Sequence, residues 1–104
     1  MSGELRLHEE RHENYILVSV SGEVDIYTSQ NLKDTLYNII DTNQCDLKID
    51  CSGLNYIDST GLGIFVGALK KAKQYEKRIF ILGLKDNIKK LFLITGLDKV
   101  FVLE

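Results

Sequence analysis

The chain has 104 residues, with no proline, no tryptophan and two cysteines. Nothing in it reads as a proline-rich or low-complexity linker, and no internal repeat appears. With 44% hydrophobic and 27% charged residues, this composition describes one compact soluble domain spanning 1–104 and leaves no room for a multidomain enzyme. Long apolar runs are also missing. Ile79 to Leu82 and Val100 to Leu103 fall far short of the roughly 20 residues that a bilayer-spanning helix needs. The start, Met1-Ser2-Gly3-Glu4-Leu5-Arg6, lacks a basic segment followed by an apolar one, so no secretory leader is visible and a cytoplasmic location is expected. Cys45 and Cys51 have no Cys or His companions at metal-ligand spacing, which points to reduced thiols in or near the core and to no metal or cofactor. Nor does one sign of charge dominate. The net charge of -2 argues against an electrostatic nucleic-acid binder.

That small sum hides an asymmetry. Residues 1–58 hold eleven Asp/Glu against four Lys/Arg, whereas residues 59–104 hold four against nine. An acidic face and a basic face would follow if the fold separates them. The plainer reading is that Lys70, Lys71, Lys73, Lys77 and Arg78 solvate the C-terminal end of a helix, where cations also suit the macrodipole.

Residues 15–21 place Ile16, Val18 and Val20 at period two and run into Gly22, which predicts a strand. Thr28 is a good N-cap for an amphipathic helix carrying Leu32, Leu36, Ile39 and Ile40 and ending near Asn43. Residues 46–51 alternate strictly, with Leu47, Ile49 and Cys51 on one face and Asp46, Lys48 and Asp50 on a wet one. A loop over 52–57 then leads to a second helix, from Ser59 or Thr60 to about Lys77, with Leu62, Phe65, Val66 and Leu69 on one stripe. Arg78 to Leu82 reads as a buried strand, Asp86 as the cap of a third helix with Ile88, Leu91 and Phe92 inward, and Gly96 as its stop. Lys99 to Leu103 gives a last short strand, and Leu5-Arg6-Leu7 an additional first one. Strands alternating with helices imply right-handed βαβ crossovers packed against a sheet of four or five strands.

Two stretches hold the residues capable of chemistry. Asp58-Ser59-Thr60-Gly61-Leu62-Gly63 sets hydroxyls and free amides at a helix N-terminus. A purely structural reading has Asp58 or Ser59 as cap, with Gly61 and Gly63 letting the helix approach a strand. Enzymatic alternatives fare poorly. Gly61, Gly63 and Gly67 are spaced wrongly for a dinucleotide fingerprint, and neither a phosphate-binding loop nor a hydrolase elbow string occurs. His8 and His12, the only histidines, lie in or beside an N-terminal segment expected to fray, which argues against a Ser-His-Asp relay to Ser59. The second stretch, Gly22-Glu23-Val24-Asp25-Ile26-Tyr27-Thr28, also follows a strand and precedes a helix, so Glu23, Asp25 and Tyr27 are expected at the same sheet edge as Asp58 and Ser59.

Gly22-Glu23-Val24-Asp25 with Tyr27 and Thr28, then Tyr56-Ile57-Asp58-Ser59-Thr60-Gly61-Leu62-Gly63, then Leu91-Phe92 with Ile94-Thr95-Gly96-Leu97, resembles the anti-sigma factor antagonist family of STAS domains. The branch that acts in the bacterial general stress response, the sigma-B type, is most similar. This resemblance implies a mixed four- to five-stranded sheet with helices against it and no catalytic activity. It further implies a partner switch. Ser59 would be phosphorylated by an anti-sigma factor that is also a serine kinase. The unphosphorylated chain would bind that kinase and free a sigma factor, and a PP2C-type phosphatase would reset it. Gly22, Glu23, Asp25, Tyr27 and Thr28, with Asp58, Ser59, Thr60, Gly61, Leu62 and Gly63, would form the contact surface. The other reading is a STAS subunit of a larger signalling or transport complex that releases no sigma factor. Chemistry alone leaves Ser59 and Thr60 close as acceptors, since both hydroxyls sit at one helix start.

Overall fold

The computed structural model describes residues 4–104. Met1, Ser2 and Gly3, on which the reading of the N-terminus partly rests, lie outside the described residues. Five strands form one sheet in the order β1-β2-β3-β4-β5. They are β1 (Leu5–Arg11), β2 (Tyr15–Val24), β3 (Asp46–Ile57), β4 (Ile79–Leu82) and β5 (Val102–Leu103). Three helices alternate with them: α1 (Ser29–Asn43), α2 (Ser59–Gln74) and α3 (Asp86–Ile94). β1 runs antiparallel to β2, and every other neighbouring pair is parallel. The α/β alternation of strands and helices is that expected from the element order, and the mixed sheet is the one that the family resemblance implies.

Alternation decides which face is covered. Val18, Ile49 and Ile81 stand in register and are fully buried, flanked by Ile16, Val20, Leu47, Cys51 and Ile79. Successive crossovers step in one direction along the sheet, and connections of one hand then put all three helices on that face. Leu32, Leu36, Phe65, Ala68, Ile88 and Phe92 close the core from above. Phe92 meets Phe65 and Phe101 with ring centroids 6.2 and 5.9 Å apart, tilted as aromatic quadrupoles prefer. On the other face Asp46, Lys48 and Asp50 are only half-buried, as the alternation predicts. Lys48 lies over the Tyr15 ring at 4.3 Å, so its stem and charge cover apolar surface where no helix does. Burial pushes the Cys51 thiol up to about 12, which makes it an inert core group.

Several boundaries differ from the sequence expectation. β2 does not end at Gly22 but continues to Val24, and β3 absorbs 52–57, which had read as a loop. Register shifts between Ser19 and Ser21 and between Gly22 and Glu23 keep the two strands paired past the point where strict alternation fails. Gly22 has φ +101, and a Cβ there would stand 1.9 Å from the Glu4 carbonyl oxygen, which accepts the Glu23 amide at 2.8 Å. β1 is longer than Leu5-Arg6-Leu7, and His8 sits within it opposite Ser19 rather than in a frayed end. α2 stops at Gln74 rather than Lys77, and its buried stripe is Gly61, Ile64, Phe65, Ala68, Leu69 and Ala72, with Leu62 and Val66 half-buried. Gly61, Ala68 and Ala72 share that stripe with Ile64, Phe65 and Leu69, a mixture of sizes that hydrophobicity alone does not reveal. Asp86 is the first residue of α3, whose N-cap is Lys85, and Leu91 is only half-buried. A 3-10 turn over Leu97–Lys99 replaces part of the last strand, leaving only Val102 and Leu103.

Lys71 does more than solvate a helix end. Its Nζ and the Tyr75 hydroxyl both donate to Asp41 Oδ1 at 2.9 Å, tying α2 to α1. These hydrogen bonds hold the Asp41 carboxyl below its ordinary value. Whatever this adds to stability is present above the usual carboxylate range and lost as pH falls through the lowered value.

Candidate functional site

β2 and β3 are parallel neighbours, so their C-terminal ends, and the segments leading into α1 and α2, meet at one edge of the sheet. The junction is hydrogen-bonded directly. Val24 pairs with Ile57, and the Asp58 amide donates to the Val24 carbonyl at 3.2 Å. The two sequence stretches thus meet at one end of the sheet, joined where Val24 lies against Ile57 and Asp58.

Asp58 is the N-cap of α2, in extended conformation, and its Oδ1 accepts the Gly61 amide at 3.0 Å. This satisfies one of the amides that a helix start leaves unpaired. Ser59 follows as the first helical residue. It and Thr60 are exposed, and their hydroxyls make no hydrogen bond among the described residues. An exposed hydroxyl at the positive end of a 16-residue helix is open to modification and can carry negative charge there.

The 23–28 loop is pinned from within. Asp25 Oδ1 accepts the Tyr27 and Thr28 amides at 2.9 and 3.1 Å, and the Thr28 hydroxyl donates to the Glu23 carbonyl at 2.8 Å and accepts the Asp25 amide. Thr28 is the residue before α1, but its side chain makes no capping bond to that helix. Its hydroxyl serves the loop. These bonds leave Tyr27 78% and Ile26 70% exposed, with Tyr56 at 48% near the end of β3. Ile26 and Tyr56 were not among the expected contact residues. The available signal was an apolar pair, Ile26-Tyr27, inside a polar turn where no helix or strand period accounts for it. Glu23 is half-buried and lines a polar groove of about 550 Å³ with Arg6, Ser21 and Asn55. Ser59 does not line that groove.

Gly61 and Gly63 part company. A Cβ on Gly61 would stand 2.6 Å from Ile57 Cγ1 and from Val24 Cγ1, so this glycine is what allows α2 to sit on the sheet edge. At Gly63 nothing lies within 4 Å, contrary to the expectation that both glycines serve close approach. Replacing Gly63 by Ala removes backbone freedom from the unfolded chain and is expected to stabilise the fold by about 0.5–1 kcal/mol. Urea denaturation checks this, and a lowered midpoint would contradict it.

No histidine approaches Ser59. His8 is midway along β1, and His12 stacks on Tyr15 at 4.5 Å, beyond the opposite end of β2 from Val24. Among the described residues no group of three or more His, Cys, Asp or Glu is placed to hold a metal ion, and no helix is long and apolar enough to cross a membrane.

A STAS domain family model matches residues 7–104. Over 86 residues the chain is 41% identical to an anti-sigma-B factor antagonist of Staphylococcus epidermidis, covering 83% of this chain and 80% of that one. It is 39% identical over 93 residues to the Staphylococcus aureus anti-sigma-B factor antagonist, with coverage of 89% and 86%. Among solved structures, an anti-sigma factor antagonist from Mycobacterium paratuberculosis superposes with a TM-score of 0.85 at 28% identity, covering 96% of this chain and 85% of that one. The phosphorylated form of the Bacillus cell fate determinant SpoIIAA shares the fold, with a TM-score of 0.75 at 17% identity and coverage of 97% and 91%. With the strand order, the joined loops and the family match over nearly its whole length all in agreement, the chain belongs to the STAS domain family.

Proposed function

We propose that this chain is an anti-sigma factor antagonist that binds an anti-sigma factor with serine kinase activity when unphosphorylated, frees a sigma factor by doing so, and is switched off by phosphate on Ser59. One observation carries the reading: Ser59 presents an unengaged hydroxyl at the start of α2, on the same edge as the exposed Ile26 and Tyr27. The names of the staphylococcal relatives support the antagonist role. A PP2C-type phosphatase would restore the hydroxyl. The domain needs no catalytic group of its own, since kinase and phosphatase supply the chemistry. The contact surface would centre on Ser59 and extend over Gly22, Glu23, Tyr27, Asp58, Thr60, Leu62 and Gly63. Asp25, Thr28 and Gly61 would act through the backbone they hold.

Incubation with the host's anti-sigma kinase and ATP, followed by peptide mass spectrometry, tests the switch. Phosphate on Ser59 is expected. Phosphate on Thr60 would move the acceptor, and none at all would overturn the reading.

The loop divides into contact and support. Tyr27→Ala removes an exposed aromatic of the kind that dominates interfaces, and is expected to weaken kinase binding by about 2 kcal/mol, roughly thirtyfold, with an unchanged melt. Asp25→Ala deletes the acceptor of two loop amides, so it is expected to lower the melt as well, by about 1–2 kcal/mol of stability. Calorimetric binding beside thermal melts separates the two. Normal affinity in Tyr27→Ala would remove this loop from the contact.

A further inference from the structure

At the opposite end of the molecule, the C-terminal end of α2 and the starts of β4 and β5 enclose a groove of about 330 Å³. Its floor is apolar: Leu69 and Ile79 are buried beneath, while Val100 and Val102 stand 45% and 40% exposed. Its rim is basic. Lys73, Lys77 and Arg78 line it against a single acid, Glu76. None of the three cations forms an ion pair among the described residues. The Arg78 guanidinium rests over the Phe80 ring at 5.4 Å, and the nearby Asp46 carboxylate is engaged by the Arg78 backbone amide.

The helix macrodipole accounts for Lys71 and Lys73 in the last turn of α2. It does not account for Lys77 and Arg78, which lie beyond the helix, nor for two exposed valines beside them. Branched apolar side chains framed by unpaired cations fit a ligand that is apolar in the middle and anionic at its sides. The groove has room for a few side chains and not for a globular surface. β5 is moreover the edge of the sheet, where an extended segment can run alongside. We infer that this groove docks an extended acidic segment of a partner protein, with aliphatic side chains on Leu69, Ile79, Val100 and Val102 and carboxylates on Lys73, Lys77 and Arg78.

At 1.5 Å per residue along α2, Leu69 and Lys73 set this groove about 15–21 Å from Ser59. A segment bound there leaves the Ser59 edge open, so the inference does not rest on the phosphorylation switch and survives its failure.

The test uses the full chain and a short fluorescein-labelled peptide alternating Glu and Leu, followed by fluorescence anisotropy. Saturable binding is expected, weakening as salt rises, and roughly tenfold or more tighter than for Glu/Ser or Lys/Leu peptides. The double variant Lys73→Gln, Lys77→Gln is expected to lose about tenfold or more while remaining folded at the assay temperature, because Lys73 is exposed, Lys77 lies half-buried at the rim, and no charge of the wrong sign is set against the helix dipole. Amide chemical shifts are expected to move at Val100 and Val102 and to stay at Ser59 and Tyr27. Equal binding by the double variant, equal binding of the Glu/Ser peptide, or shifts confined to the Ser59 edge would each overturn the inference. Sedimentation equilibrium covers the remaining occupant: concentration-dependent association of the chain with itself, abolished in the same variant, would assign the groove to a second copy and overturn it too.

Discussion

Ser59→Glu is expected to bind the anti-sigma kinase about a hundredfold or more weakly than the unmodified chain, and to melt at the same temperature. A partner surface fitted to a small hydroxyl meets added bulk and an unmatched carboxylate, and like charges forced together at an interface cost several kcal/mol. Folding escapes this cost. The side chain is exposed at the first turn of α2, where free amides and the helix dipole favour negative charge. Phosphate itself carries about -1.5 to -2 charges at neutral pH and is expected to act more strongly than Glu. A complete reversal from 99:1 bound to 1:99 requires about 5.5 kcal/mol. Ser59→Ala, by contrast, is expected to keep its affinity and to accept no phosphate at that position, and so to act as a permanently active antagonist. Isothermal titration of both variants against the kinase checks the pair. Unchanged affinity in Ser59→Glu would end the proposed switch, whatever the fate of the fold.

Gly61→Val is expected to cost about 3 kcal/mol or more of stability. Its Cβ would fall 2.6 Å from side-chain carbons of both Val24 and Ile57, which are themselves buried and cannot step aside. Relief requires the start of α2 to lift off the sheet edge. That movement also strains the hydrogen bond from the Gly61 amide to Asp58 Oδ1, a cap worth about 1 kcal/mol. At roughly 4–8 °C per kcal/mol for a chain of this size, the melting temperature falls by well over ten degrees. Differential scanning calorimetry of Gly61→Val beside Gly63→Ala gives opposite signs if the two glycines play the parts assigned to them. An unchanged melt for Gly61→Val would mean that α2 is not seated as described.

Much of the architecture was legible because its signals are local. Alternation over 15–21 and 46–51 marks two strands and their buried faces, and the helical period of Leu32, Leu36, Ile39 and Ile40 marks α1, whatever surrounds them. Element order then implied the crossovers, and the crossovers implied that the 23–28 and 58–63 segments share an edge. Residues 52–57 read as a loop because Ser52-Gly53-Leu54-Asn55-Tyr56 lacks strict alternation, yet they are strand. Pairing with β2 through two register shifts carries the strand to Ile57, and a shift of that kind is a property of two strands together.

Within the candidate site, the identity of the residues was readable and their division of labour was not. Asp25 and Tyr27 are neighbours in one acidic, aromatic turn, yet the first spends its carboxylate on loop amides and the second stands in solvent. Thr28 has the chemistry of a helix cap and uses it on the Glu23 carbonyl instead. Gly61 and Gly63 are indistinguishable as letters, but two residues turn a helix by about 200°, so one faces Val24 and Ile57 and the other faces nothing. The sequence by itself determined where strands and helices start to form, their order and which residue types gather at the sheet edge, because period and composition act over a few neighbouring positions. The tertiary structure alone decided which side chain is support and which is surface, because that depends on atoms brought together from distant parts of the chain.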